Sequence, residues 1–226
     1  LYSVTWTCTY TAPELDNPGA VSFTIDAADP AGNALVQVVG VTDSSAIVFD
    51  DVAPTLTAVS LSSSNAAGSL AKPGDTVTAT ITASEAIIAP TCVFQSGDAD
   101  TTGAAVAVTD TSSGAGTGWT CVYTTVAGDT AGDVSFTING ADLAGNALVQ
   151  VTAVTDGSSM TFDKTAPTLS AVVISSDNDA ASLAKAGDTV TLTITSSDDL
   201  IHIITAQRII QSDTRLLEPN CKRWVS

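Results

Sequence analysis

Large apolar residues alternate with threonine and serine along much of this chain. Trp119, Cys121 and Tyr123 alternate with Thr120, Val122 and Thr124, and Val4, Trp6, Cys8 and Tyr10 alternate with Thr5, Thr7 and Thr9. Phe136 and Ile138 stand between Ser135, Thr137 and Asn139. Period two with bulk on one side marks a half-buried antiparallel strand. The segment from Thr76 to Thr82 is β-branched at nearly every position, which crowds a helix and suits a pleated surface. Turn signals separate these stretches: Pro73-Gly74-Asp75, Gly97-Asp98, Gly128-Asp129, and Asp142 to Asn146. The pattern predicts strands near 55–63, 76–83, 91–95, 104–109, 117–125, 133–139, 147–155 and 159–163, and no helix.

The same pattern is written more than once. Trp6-Thr-Cys8-x-Tyr10 recurs at Trp119, Cys121 and Tyr123; Val21–Ile25 recurs at Val134–Ile138; Ala53-Pro-Thr-Leu56 recurs at Ala166–Leu169; Ser69–Val77 recurs, with one change, at Ser182–Val190. Every pair is 113 residues apart, and residues 1–86 laid on 114–199 give 51 identities without a gap. Such likeness is the mark of tandem duplication of one folding unit. The phase divides the chain into the C-terminal half of a repeat (1–52), a complete repeat (53–165), the N-terminal part of a third (166–201) and a divergent tail (202–226). It also predicts a longer array, of which these residues are a stretch. About eight strands per 113 residues, with turns between them, predict an all-β fold of tandem immunoglobulin-like β-sandwiches. The whole repeat is expected to fold as an independent domain with Trp119, and by analogy Trp6, inside. The half-repeats, lacking strands, are expected to be less ordered unless neighbouring chains complete them.

The joins are short: Phe49-Asp-Asp-Val-Ala-Pro-Thr55 and Phe162-Asp-Lys-Thr-Ala-Pro-Thr168. Pro54 and Pro167 fix φ and hold the preceding alanine extended. A stiff string of modules is expected, each adding roughly 30–40 Å if strands of about 8–10 residues set the length.

Charge narrows the possible functions. The net charge is -17, from 24 acidic and 7 basic residues, and only Glu14, Glu85 and Glu218 are not Asp among the acids. Residues 1–199 carry 22 acidic and 3 basic side chains, whereas the last 27 carry 2 and 4. That reversal accompanies the loss of the repeat and points to a frame-shifted or disordered tail, or a genuinely divergent one. An acidic chain repels phosphate, so nucleic acid is excluded as a partner. No apolar run is long enough to span a membrane. An Asp-rich surface keeps exposed sheet edges soluble and mutually repelling.

Catalytic material is thin. The single histidine, His202, lies in the tail, so the repeats cannot assemble a Ser-His-Asp triad. Gly114-x-Gly-x-Gly118 opens a strand, not a helix, and so lacks the helix N-terminus that holds phosphate. No pair of carboxylates stands out for glycoside hydrolysis. The chain reads as no enzyme, with no catalytic residues.

Two other chemistries are open. Cys92 and Cys121 fall in separate strands of one repeat and are read as a disulfide, closing a loop of about 30 residues; two buried thiols are the other reading. Cys8 occupies the place of Cys121 in the partial repeat. Calcium takes several oxygen ligands, which Asp and Asn supply. The turns Asp142 to Asn146 and Asp29 to Asn33 bring a carboxylate and an amide together, in a cation site or a plain Asx-turn. Junction residues Asp50, Asp51 and Asp163 are candidates for an ion shared between repeats, although Lys164 stands where the first join has Asp51. Asp98-Ala-Asp-Thr-Thr-Gly103 matches half an EF-hand loop, but Thr109 replaces the closing Glu and strands flank it, so an acidic hairpin is the better reading.

The Asp-Lys-Thr-Ala-Pro-Thr join, the Ala-Lys-x-Gly-Asp-Thr-Val strand, the Trp-Thr-x-x-Tyr strand and the Asp-x-Ala-Gly-Asn turn resemble bacterial immunoglobulin-like (Big-type) repeats over about residues 1–199. The resemblance implies an extender module of a large secreted or surface-anchored adhesin, extracellular, often stiffened by Ca²⁺, which holds a distal binding domain away from the cell. Its partners would be the neighbouring repeats and surface glycans or proteins. The paired cysteines depart from the family pattern, where those positions are usually Val or Ala. Two rivals remain: a carbohydrate-binding sandwich, which wants exposed aromatics as a sugar platform, and an accessory segment of a secreted hydrolase.

Overall fold

The computed structural model describes residues 4–13, 17–198 and 200. The tail at 202–226 lies outside them. The described residues form thirteen strands and no helix: β1 (Gly19–Ala20), β2 (Val48–Phe49), β3 (Leu56–Ser63), β4 (Leu70–Ala71), β5 (Thr76–Ala83), β6 (Thr91–Ser96), β7 (Ala99–Asp100), β8 (Ala107–Asp110), β9 (Gly118–Thr124), β10 (Gly132–Asn139), β11 (Thr161–Phe162), β12 (Leu169–Ser176) and β13 (Val190–Ser196). The expected all-β class is borne out. Two compact units divide the chain, Leu1–Lys164 and Thr165–Ser226.

In the first unit the complete repeat builds two sheets. One has the order β3-β5-β9-β8, the other β4-β11-β10-β6-β7. All pairings are antiparallel except β4 with β11. The alternation read from the sequence decides the faces. In β5, Val77, Ala79, Ile81 and Ala83 are buried and the threonines between them are not. In β9, Trp119, Cys121 and Tyr123 are buried. These side chains meet Phe94 of β6, Phe136 and Ile138 of β10 and Phe162 of β11 in one apolar core. Two sheets sharing a core are consistent with a β-sandwich. A Cys92–Cys121 disulfide, with Cα atoms 6.3 Å apart, ties β6 in one sheet to β9 in the other. Trp119 is buried and its indole N–H donates to the Gly116 carbonyl at 3.0 Å.

Below that core lies a buried polar knot. The Asp129 carboxylate accepts the Tyr123 hydroxyl (2.8 and 2.9 Å), the backbone N–H of Thr102 (2.7 Å) and of Val126 (2.9 Å), and the Thr102 hydroxyl (3.1 Å). Gly103 donates its N–H to the Tyr123 oxygen at 2.8 Å, and a Cβ there would stand 2.5 Å from that oxygen, which leaves room only for glycine. Burial pushes the Asp129 carboxyl up, but the hydrogen bonds from Thr102, Val126 and Tyr123 outweigh it, so it lies below the ordinary carboxylate range. Burial, then the Asp129 carboxylate, pushes the Tyr123 phenol up.

The segment 147–155 differs from the expectation. It carries only isolated bridges, Ala147 to Ala141 and Val151 to Ile138. The two bridges are out of step by one residue, as at a bulge, so no continuous ladder forms. Residues 25–38 repeat the feature with bridges Ile25 to Val38 and Ala28 to Ala34.

The partial repeat at 4–52 keeps the β1–β2 pairing, Gly19 with Phe49 and Ala20 with Val48, which matches Gly132 with Phe162 and Asp133 with Thr161. Its Trp segment is another matter. Residues 4–13 form no strand and are all exposed, Trp6 included. The expectation that Trp6 is internal is thus corrected: no strand lies against it among the described residues, so alternation alone buries nothing. In the second unit, β12 and β13 pair in the register of β3 and β5, down to the shift between Leu169 and Ala171 that matches the one between Leu56 and Ala58.

Candidate junction cation site

The turn from Asp142 to Asn146 is built by its own side chain. The Asp142 carboxylate accepts the N–H groups of Gly145 (2.7 Å) and Asn146 (2.9 Å) and the Asn146 side-chain amide (2.8 Å). Gly145 has φ +101°, a left-handed geometry that suits glycine. The Asx-turn reading of this segment therefore describes its local structure. The equivalent turn is built in a similar way: Asp29 accepts the Asn33 N–H and side-chain amide, as Asp142 does from Asn146, and the N–H of Ala31 where Asp142 takes that of Gly145, at 2.7–2.9 Å. The Asn33 side chain and backbone hold the Asp29 carboxyl below its ordinary range.

The two turns differ in their surroundings. The Asn146 amide also donates to the backbone carbonyl of Asp50 at 3.1 Å, which pins the join to the turn. A bridge between Ile87 and Asp142, and a bond from Ile88 N–H to the Ala141 carbonyl at 3.0 Å, bring in the loop that follows β5. That loop carries Glu85. As a result, oxygens of Asp50, Glu85 and Asp142 all lie within 4.8 Å of one another. Asp142 is buried; Asp50 and Glu85 are half-buried. Burial pushes the Asp142 carboxyl up, and the bonds from Asn146 and Gly145 more than offset it, so the group stays ionised at neutral pH.

Three carboxylates at this spacing repel one another unless a cation sits between them. The donors are all hard oxygens, the set a Ca²⁺ ion takes, with water completing its six to eight ligands. Asp50 and Asp142, proposed from the sequence as separate candidates, come together here with Asn146 beside them. Asp51, Asp163 and Asp29 do not join this cluster, and Asn33 is bonded to Asp29 in its own turn. Glu85 was missed, and nothing in its neighbourhood of Ser84 and Ala86 marks it as a ligand. Lys164, in the position of Asp51, donates to the carbonyls of Asp129 (2.6 Å) and Ala127 (3.3 Å) and so closes off its own module.

The other acidic loop is a hairpin. Gly97 and Asp98, both with positive φ, turn β6 into β7, and the Asp100 carboxylate accepts the Gln95 side-chain amide at 2.9 Å. The Gly114–Gly118 run turns β8 into β9. No protein-family model matches this chain, and no curated protein and no solved structure matches it either.

Proposed function

We propose that these residues are a non-enzymatic extracellular spacer and adhesion segment, made of immunoglobulin-like modules in tandem, within a large repetitive surface or secreted protein. The observation that carries the reading is the join: the end of one repeat, at Asp50, is held by the Asn146 side chain of the next repeat's turn, with Glu85 and Asp142 alongside. A head-to-tail array resists bending only if its joins are held, and this one is held within a single compact unit. Ca²⁺ at Asp50, Glu85 and Asp142 would cancel their repulsion and stiffen the join further. The disulfide is compatible with an oxidising, extracellular setting. All five aromatic side chains of the complete repeat, Phe94, Trp119, Tyr123, Phe136 and Phe162, are buried, so that repeat offers no aromatic platform to a sugar ring.

Calcium provides the test. The melting midpoint of the full chain should rise by about 2–8 °C between EDTA and saturating Ca²⁺, as expected for about 1–3 kcal/mol of linkage. Asp142→Asn and Glu85→Gln should each abolish the shift. An unchanged midpoint removes the ion from the reading. Trp fluorescence that responds to a panel of glycans would favour the carbohydrate-binding alternative over the spacer.

A further inference from the structure

The first and last segments of the complete repeat lie side by side and run the same way. Thr155 lies against Val59, Ser158 against Leu61, Thr161 against Leu70 and Asp163 against Ala71, so both segments advance together. The seam starts on the free edge of β3. There the Thr155 backbone N–H donates to the Val59 carbonyl at 2.8 Å, and the Thr155 and Ser158 hydroxyls accept the N–H groups of Val59 (2.9 Å) and Leu61 (2.8 Å). It continues in the other sheet, where β4 and β11 form the one parallel pair among the described residues. Thr161 donates its N–H to the Ser69 carbonyl at 3.0 Å, and Asp163 donates to the Ala71 carbonyl at 2.8 Å. Val59, Leu61, Ala71, Met160 and Phe162 are buried along the seam. Water is therefore slow to replace a bond that breaks there, and the broken groups stay unsatisfied.

Direction decides how such a seam fails. Tension along the chain draws the first segment back toward residue 53 and the last segment forward toward residue 165. For neighbours that run parallel, this is a sliding motion along their common axis, and it loads the bonds together. Segments loaded from one shared end would instead open bond by bond, each bond bearing the whole load in turn. The Cys92–Cys121 bridge sits behind the seam, between β6 and β9, and belongs to neither loaded segment. Once the seam yields, the chain outside the bridge straightens while the stretch between the two cysteines is bypassed. At about 3.3–3.6 Å per extended residue, a separation of 29 residues withholds about 100 Å of length.

We propose that the complete repeat is a tension-bearing element with two stages: a shear clamp formed by residues 59–71 against 155–163, and behind it a stop formed by the Cys92–Cys121 bridge. The clamp is a property of the repeat itself; its use along a surface tether rests on the spacer reading. Its residues are part of the repeated text. Thr155 and Ser158 recur as Thr42 and Ser45, and Val59 and Leu61 recur as Val172 and Ile174.

Two pulling directions on one folded protein test the clamp. In the full chain with Cys8→Ser and Cys221→Ser, thioether-linked handles at Val52→Cys and Ala166→Cys load the seam in shear. Handles at Lys72→Cys and Ala166→Cys load it from the end where β4 and β11 both finish, so it peels. All three handle positions are exposed. Forced unfolding follows the unfolding barrier, so the shear pair should yield in one step at a clearly higher force than the peeling pair, although both chains melt at the same midpoint. Equal forces, or a higher force in peeling, would overturn the clamp and leave the spacer reading, which the calcium melt tests, as it stands. Thr155→Val combined with Ser158→Ala should lower the shear force. Ser96→Ala, which removes a bond to the Thr130 carbonyl (2.6 Å) outside the seam, should leave that force in place. An equal loss of force from Ser96→Ala would mean that overall stability and not the seam sets the resistance, and the clamp would be lost.

A dithiol reductant tests the stop. On a chain held stretched, its thiolate displaces one sulfur of the bridge, its second thiol closes onto the mixed disulfide, and Cys92 and Cys121 are released as thiols while the reductant becomes a cyclic disulfide. One further lengthening of about 100 Å should follow. None should occur while the repeat is folded, because both cysteines are buried. Absence of that step after yielding, or its appearance before yielding, would overturn the stop.

Discussion

Trp119 and Trp6 sit in the same phrase of sequence, yet Trp119 is 9% exposed and Trp6 87%. Ile138 is 0% exposed and its twin Ile25 48%. Nothing local distinguishes the members of each pair: both tryptophans precede Thr, then Cys, and both isoleucines end a Val-Ser-Phe-Thr-Ile run. What differs is the company. Residues 117–139 find β5 on one side and β6 on the other, whereas residues 4–25 find neither among the described residues. Alternation states which face a strand would bury; a second sheet has to arrive for the burial to happen.

That contrast sets the expected order of mutational effects. The largest belongs to the tryptophans. Trp119→Ala should cost about 3–5 kcal/mol in denaturant unfolding, the usual loss for a large core aromatic. Trp6→Ala should leave the same transition in place. Equal losses at the two sites would mean the partial repeat is as well packed as the complete one.

Next come the cysteines. Replacing Cys92 and Cys121 together by Ser should remove about 3 kcal/mol, the loop-entropy value for this separation. Cys8→Ser should change nothing in that transition, because Cys8 is a free, exposed thiol.

The smallest effect lies in the polar knot. Asp129→Asn should cost about 1–3 kcal/mol at neutral pH, since it weakens the bonds from Tyr123, Thr102 and Val126 to a buried carboxylate. The pH dependence has a definite sign. A carboxyl whose folded pKa lies below its unfolded value stabilises the fold fully above the unfolded value near 3.9, and loses that contribution as pH falls through the folded one. Wild type and Asp129→Asn should therefore converge in stability only below about pH 4. Asp75, Asp110 and Asp142, also held below the ordinary range, add to the acid loss in the same window. A gap that widens on acidification would contradict the assignment of Asp129 as an ionised acceptor.

Much of the complete repeat could be read before any coordinates. The strands at 76–83, 91–95 and 133–139 are found within a residue of the expected bounds, because Thr/Val/Ile alternation carries both the conformation and the face. The Cys92–Cys121 link was legible because two cysteines fell in separate strands of one unit. The reading of 147–155 as a strand misled for a physical reason: its hydropathy suits a strand, but the one-residue slip between its bridges to Ile138 of β10 and to Ala141 beyond it breaks the ladder, and register leaves no trace in composition. Asp129 read as a turn residue next to Gly128, while its carboxylate accepts from four donors, the Tyr123 and Thr102 hydroxyls and the N–H groups of Thr102 and Val126. Of the junction cluster, Asp50 and Asp142 could be nominated as oxygen donors, but not as neighbours, and Glu85 not at all.

The chain's letters alone establish the duplication, the strand-forming stretches, the inward face of each strand and the absence of histidine from the repeats. Those properties are local or periodic, and a pattern of neighbours two residues apart is enough to encode them. The closing of two sheets over one core, the meeting of Asp50, Glu85 and Asp142, and the unequal fates of Trp119 and Trp6 are of another kind. They depend on which distant segments come to lie side by side, and only the folded chain decides that, because burial and electrostatic coupling act through space and not along the backbone.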